Sequence, residues 1–213
     1  MSTRLERSAS IVMMLLAAGF GLAAVSSSWQ KEGMQSSTES EQILHVSTEE
    51  IIGPRHDFAG VARGPYTLVE FGDYQCTPCH IAAGEVPVFL NRYHGRLRFT
   101  FRNLPLTMIH PSAMQAALDA ETARTQGRFW EVHDALYKIP PASFSDEAVN
   151  STMKVHPMHI GGIITINARK AVEADVQEAK RLGIESTPTF ILCQPDGTVI
   201  RLQNIDRIDH YMH

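Results

Sequence analysis

Thr67-Leu68-Val69-Glu70-Phe71-Gly72-Asp73-Tyr74-Gln75-Cys76-Thr77-Pro78-Cys79-His80 is the stretch on which the reading of the fold turns. Its first five residues are a β-rich run, entered after Gly64-Pro65 and left at Gly72-Asp73, the punctuation of a buried strand. Beyond it, Ile81, Val86, Phe89, Leu90 and Tyr93 recur at helical spacing until Gly95, which predicts a helix over 79–93 kinked at Pro87. Residues 97–101 alternate Leu, Arg, Phe, Thr, Phe and predict a second strand. Strand, helix and strand in that order form a crossover unit with a parallel strand pair. The two cysteines fall where strand gives way to helix.

That position carries chemistry. A sulfur at the start of a helix lies beside unpaired backbone N–H groups and the positive end of the helix dipole, which favours thiolate over thiol. In a Cys-x-x-Cys pair the first cysteine's pKa falls well below about 8.5, and its thiolate attacks disulfides. Cys76 is therefore the candidate nucleophile, and Cys79, one turn on, the resolving thiol. As a structural staple the pair would close almost no loop and stabilise little. Cys193 leaves an odd count and reads as a small buried hydrophobe.

Arg4 and Arg7 precede an uncharged apolar run at 11–25 and then Ser26, Ser27 and Ser28, an export signal. As a helix the run spans about 22 Å, short of the roughly 30 Å hydrocarbon core, which favours a cleaved signal at 1–28; a signal anchor in the membrane stays open as the alternative. Either way the remainder is expected outside the cytoplasm, periplasmic or secreted. Residues 29–42 read as a flexible polar tether and 43–213 as the folded domain. Nineteen Lys and Arg against 23 Asp and Glu give a net charge of -4, no footprint for nucleic acid.

The rest of the chain predicts helices over 111–125, 128–138, 146–155 and 167–182, then strands over 189–194 and 198–202 joined around Pro195-Asp196-Gly197. A helical block thus interrupts a strand-helix-strand start and a hairpin finish.

The run from Val69 to Cys79, together with Arg102-Asn103-Leu104-Pro105-Leu106, His110-Pro111 and Thr187-Pro188-Thr189-Phe190, resembles the DsbA-like branch of the thioredoxin superfamily. The resemblance implies an α/β thioredoxin fold, a mixed sheet with flanking helices, carrying a helical insertion at about 106–182. It implies a protein thiol–disulfide oxidoreductase that acts on the cysteines of exported client proteins, without a bound cofactor or metal, and is recycled by a membrane or soluble redox partner. It further implies a cis Thr187-Pro188 peptide that faces the dithiol and docks the client backbone, and a proton-transferring acid at Glu70. The dipeptide Thr77-Pro78, also expected at the substrate face, tunes the redox potential. The chain departs from the family pattern in that dipeptide, in a last helix cut to about 204–213, and in Cys193. Disulfide donor is the expected direction, with a reductase as the alternative and, in a different class, a redox-idle thioredoxin-like binding module.

Competing readings exist for each residue. The cysteine pair lacks the second Cys or His pair of a structural metal site. With His80 it also satisfies Cys-x-x-Cys-His, the attachment motif of c-type haem, although a small cytochrome has no need of the flanking strands or the distant Thr187-Pro188. His80 is expected on the exposed first turn of the helix, and His110 and His133 in structural roles. Glu70 at a strand end competes with an idle solvated carboxylate.

Overall fold

The computed structural model describes residues 41–54, 57–159 and 161–212; the signal expected at 1–28 and the tether as far as residue 40 lie outside the described residues. Six strands form one mixed sheet in the order β1-β6-β5-β3-β4-β2, comprising β1 (Gln42–Leu44), β2 (Ala59–Gly60), β3 (Tyr66–Gly72), β4 (Leu97–Asn103), β5 (Thr189–Cys193) and β6 (Val199–Leu202). β3 runs parallel to β4 and antiparallel to β5, and all seven of its residues are buried. Burial on both faces explains why it reads as a near-continuous apolar run.

Side chains of β3 alternate between two core layers. Leu68 joins Tyr74, Phe99, Phe101 and Phe190 on one face, covered by Val86 and Phe89 of helix α2 (Thr77–Arg92). Val69 and Phe71 join Ile191, Cys193 and Ile184 on the other, covered by Ile51 and Ile52 of helix α1 (Thr48–Ile52). Gly72 closes β3 because a side chain there has no room: an added Cβ would stand 2.4 Å from Phe101 Cε2 and 2.8 Å from Glu70 Oε1.

Between β4 and β5 the chain forms α3 (Ala113–Arg124), α4 (Phe129–Leu136), α5 (Asp146–Val155) and α6 (Gly162–Arg181), the helical insertion. Phe129, Val132 and Leu136 of α4 extend the first core layer. A buried polar knot ties the insertion to the sheet. Arg102 Nε of β4 donates to Asp175 Oδ1 of α6 at 2.8 Å, the Asn103 amide donates to Asp175 Oδ2 at 2.9 Å, and Asn103 Nδ2 donates to Glu121 Oε1 of α3 at 2.7 Å. Arg102 Nη1 also donates to the Ile51 carbonyl at 2.7 Å, so β4, α1 and α6 meet at the Arg102 guanidinium and the Asp175 carboxylate, and Asn103 beside them ties in α3 through Glu121.

Several boundaries differ from the sequence reading. α6 starts at Gly162 rather than 167, and its first turns carry no buried stripe to mark them, since Ile163 and Ile166 are exposed. β4 continues to Asn103, held by pairing with Gly72. The fold begins inside the expected tether: Gln42 pairs with Arg201, and the Glu41 carboxylate is held by Arg207 and Tyr211. β1 and β2 are too short to show alternation, and α1, only five residues long, is fixed by a Ser47–Glu50 capping box. The terminal helix expected at 204–213 is a 3-10 turn, Ile205–His210.

Candidate active site

Cys76 is the N-cap residue of α2, in extended conformation (φ -77°, ψ 123°), with Thr77 and Pro78 exposed in the first turn. Proline is favourable there, since the first helical N–H groups have no intrahelical acceptor to lose. The approach from β3 is a turn in which the Cys76 amide donates to the Asp73 carbonyl at 3.1 Å. The buried Asp73 carboxylate fastens that turn. Oδ1 accepts from the Gln75 amide, and Oδ2 accepts from the Leu106 amide and contacts His110 Nδ1, each at 2.8 Å. Gln75 Oε1 accepts from the Ser112 amide at 2.9 Å, a second tie to the segment that enters the insertion.

Cys76 is 5% exposed and Cys79 is fully buried. The Cys76 thiol donates to the Thr187 carbonyl at 3.3 Å, and the Thr187–Pro188 peptide is cis. The end of the insertion thus returns to the start of α2, and the structure brings Cys76, Cys79, Thr187 and Pro188 together.

The two sulfurs are driven apart in acidity. The Cys76 pKa is lowered to about 6, chiefly by the hydrogen bond from the Cys79 side chain and with help from the Cys79 backbone amide, against the opposing effect of burial. The Cys79 pKa is pushed up, first by burial, then by its hydrogen bond to Cys76 and by the charge of Glu70. Near neutral pH the pair is therefore one thiolate and one thiol.

Glu70 sits in mid-sheet between Phe101 and Phe190, 2% exposed, not solvated at a strand end. Burial, and then the charge of Cys76, raises its pKa to about 8. Its Oε1 has no hydrogen-bond partner among the described residues. Such a carboxyl exchanges its proton near neutral pH, the property required of a group that takes a proton from a thiol or returns one.

His80 departs from the expected exposed position. It is half-buried, its Nε2 donates to the Tyr74 carbonyl at 2.7 Å, and its ring meets Tyr137 edge-on at 5.0 Å, because the start of α2 faces the insertion. That nitrogen is occupied and is not presented as a haem ligand. Among the described residues no group of three or more His, Cys, Asp or Glu is placed to hold a metal ion. His133 lies in the core with Nδ1 3.1 Å from Tyr74 Oη, and burial lowers its pKa to about 3. Cys193 is 1% exposed, with a thiol pushed by burial to about 12. Asp73 escaped the sequence reading, and so did the place of His110 beside it. The visible signal was Asp73 three residues before Cys76, but Leu106 and His110, which engage its carboxylate, lie 33 and 37 residues away.

The profile of the family described as Thioredoxin matches residues 55–211. The chain belongs to the thioredoxin family. Within thioredoxin folds it is similar to a periplasmic thioredoxin-like protein from Salmonella enterica serovar Typhimurium, with 19% identity and a TM-score of 0.62 over 80% of this chain and 96% of that one. BdbD from Bacillus subtilis, in its oxidised form, is similar with 23% identity and a TM-score of 0.57 over 73% and 89% of the respective chains. At these identities the likeness is one of fold. In sequence the chain is also similar to the Na(+)/H(+) antiporter NhaA 1 of Salinispora arenicola, 33% identical over 142 residues. The match covers 65% of this thioredoxin-family chain but 22% of the antiporter, about a fifth of that relative's length.

Proposed function

We propose that this thioredoxin-family protein is an extracytoplasmic thiol–disulfide oxidoreductase that exchanges disulfides with the cysteines of exported proteins, as a donor of disulfides. The observation that carries the proposal is the geometry of the pair: Cys76 caps the start of α2 with its sulfur 3.3 Å from the Thr187 carbonyl, beside a fully buried Cys79, an arrangement that lowers the Cys76 pKa to about 6 and raises that of Cys79. A low-pKa thiolate is a good leaving group, and lowering its pKa favours the reduced form over the disulfide, which moves the pair toward the oxidising end.

In that mechanism a client thiolate attacks Cys76 Sγ of the Cys76–Cys79 disulfide. The Cys76–Cys79 bond breaks, a Cys76–client bond forms, and the electron pair goes to Cys79, which takes a proton from Glu70. A second client thiolate then attacks the client sulfur of the mixed disulfide, and Cys76 departs as thiolate. A redox partner reoxidises the pair, and Cys79 returns its proton to Glu70. Thr187 and Pro188 dock the client backbone beside Cys76, and Thr77-Pro78 lines the approach.

The test is the reduction potential of the pair together with oxidation of a reduced, unfolded client. A potential near -120 mV supports a donor, and one near about -270 mV replaces that direction with a reductase. Absence of exchange in either direction would sink the oxidoreductase reading altogether.

A further inference from the structure

Residues 151–170, which end α5 and begin α6, contain Lys154, Arg169 and Lys170 and no Asp or Glu, in a chain whose net charge is -4. In the same stretch Val155, Ile163 and Ile166 are 74%, 69% and 51% exposed. Helical periodicity sorts α6 into two faces. Ile164, Ala168, Val172, Asp175 and Ala179 fall on the inner side, the last four buried and Ile164 half-buried. Ile163, Ile166 and Lys170, at i, i+3 and i+7, fall together on the opposite side. Lys154, Arg169 and Lys170 are all exposed.

The connection that presents this face is fixed in place. Gln126 Nε2 donates to the His159 carbonyl at 3.1 Å and its Oε1 accepts from the His159 amide at 3.0 Å, while Arg128 Nη1 donates to the Pro157 carbonyl at 2.6 Å. The carboxylate that reaches the connection, Glu131, is engaged by Arg128 at 2.6 Å and by His156 at 2.8 Å, not by the three exposed cations.

We propose that the start of α6, with the end of α5, is a docking surface for an anionic lipid membrane: Ile163 and Ile166 enter the boundary between headgroups and acyl chains, and Lys154, Arg169 and Lys170 meet lipid phosphates. This goes beyond the exchange reaction proposed above and does not depend on it. Charge complementarity favours lipid over a protein. A face with one sign of charge suits a surface with one opposite sign, where each Lys or Arg adds to binding. Apolar side chains on one helix face, flanked by Lys and Arg, are the composition of interfacial helices, whereas lysine is depleted from protein interfaces. Among the described residues no helix is long and apolar enough to cross a membrane, so the contact is one of a helix lying at the interface.

The test places a fluorophore on the face itself, in the full chain, so that it reports this contact whatever the N-terminal apolar run does. Ile166→Trp is the first probe and Ile163→Trp the second, each at an exposed position, with the wild-type spectrum as the background from Trp29 and Trp130. Phosphatidylglycerol vesicles should shift the added emission to the blue, and brominated acyl chains should quench it. Phosphatidylcholine vesicles, or about 1 M salt, should remove both effects. Each of Lys154→Gln, Arg169→Gln and Lys170→Gln should raise the lipid concentration at half-shift by about fivefold, and all three together by roughly a hundredfold. Oxidation of a soluble client should be unchanged in the three Gln variants. Emission unaltered by phosphatidylglycerol vesicles in both Trp variants overturns the proposal. A shift that needs no vesicles and grows with protein concentration also overturns it and gives the face to a second copy of the chain. A shift equal on both lipids and insensitive to the Gln variants overturns the role of the cations.

Discussion

Cys76 Sγ lies 3.3 Å from the carbonyl oxygen of Thr187, a contact between residues 111 positions apart in the chain. The first sulfur of the dithiol is thus framed on one side by the start of α2 and on the other by the backbone that leads into β5. In the proposed exchange a client peptide that reaches the sulfur docks along Thr187 and Pro188. Cys79, on the inner side of the turn, is fully buried and out of reach of any large partner.

The division of labour between the sulfurs gives the first prediction. Cys76→Ser should abolish exchange, while Cys79→Ser should accumulate mixed disulfides with clients through Cys76, visible on non-reducing gels. Cys79→Ala should in addition raise the Cys76 pKa well above about 6, because the hydrogen bond from Cys79 is the largest influence holding it down. Thiolate absorbance near about 240 nm reads the titration. Trapping through Cys79 in the Cys76→Ser protein would reverse the assignment.

Stability should depend on pH differently in the two redox states. Cys76 is depressed from about 8.5 in the unfolded chain to about 6 in the fold. Its contribution is therefore fully present above the unfolded value and is lost as pH falls through the folded one. Glu70 is raised from 4.5 to about 8, so its contribution is present below the unfolded value and is lost as pH rises through the folded one. The oxidised protein lacks the thiolate but keeps Glu70 buried, so it should lose stability as pH rises above about 4.5. In the reduced protein the thiolate opposes that loss above about pH 6, so the stability of reduced over oxidised should grow with pH across about 6 to 8.5. Urea unfolding of both forms measures it, and a difference that is flat with pH contradicts the thiolate assignment.

Glu70→Gln separates proton transfer from packing. The amide is nearly the shape of the protonated acid but neither takes nor gives the proton. Closure of Cys79 on a mixed disulfide should slow by about a hundredfold or more. The oxidised variant should also lack the stability loss expected of Glu70 toward pH 8, since no charge has to be buried. Rapid-quench kinetics and unfolding at pH 5 and about 9 read the two effects. An unchanged closure rate would leave Glu70 as a core residue only.

The anchor between sheet and insertion is testable without the active site. Asp175→Ala leaves the Arg102 guanidinium and the Asn103 amide buried without their carboxylate, and should cost about 3–5 kcal/mol. Arg102→Met with Asp175→Leu should recover most of that loss, because the pair is then replaced rather than broken. Equal instability in the single and double variants would mean that the other hydrogen bonds of Arg102, to the carbonyls of Glu50 and Ile51, carry the anchor.

Much of the fold was open to a reader of the chain because its signals are local. β3, α2 and β4 are consecutive, and periodicities of two and 3.6 need only neighbouring residues to show themselves. The helices of the insertion and the β5–β6 hairpin were legible for the same reason. α1, β1 and β2 were not, since each is two to five residues long and owes its place to partners elsewhere: β1 to β6, β2 to β4, α1 to the core face of β3 and β5.

By itself the sequence determined that a Cys-x-x-Cys pair stands at a strand-to-helix junction, which is enough to place a nucleophile, because helix dipole and chain order are properties of adjacent residues. Only the tertiary structure decided that Cys79 keeps its proton, that Glu70 is buried rather than solvated, that Asp73 holds the turn against Leu106 and His110, and that His80 is tied to the Tyr74 carbonyl. Each of these depends on desolvation or on a hydrogen bond across many residues, and both arise only when distant segments close around a group and remove it from water.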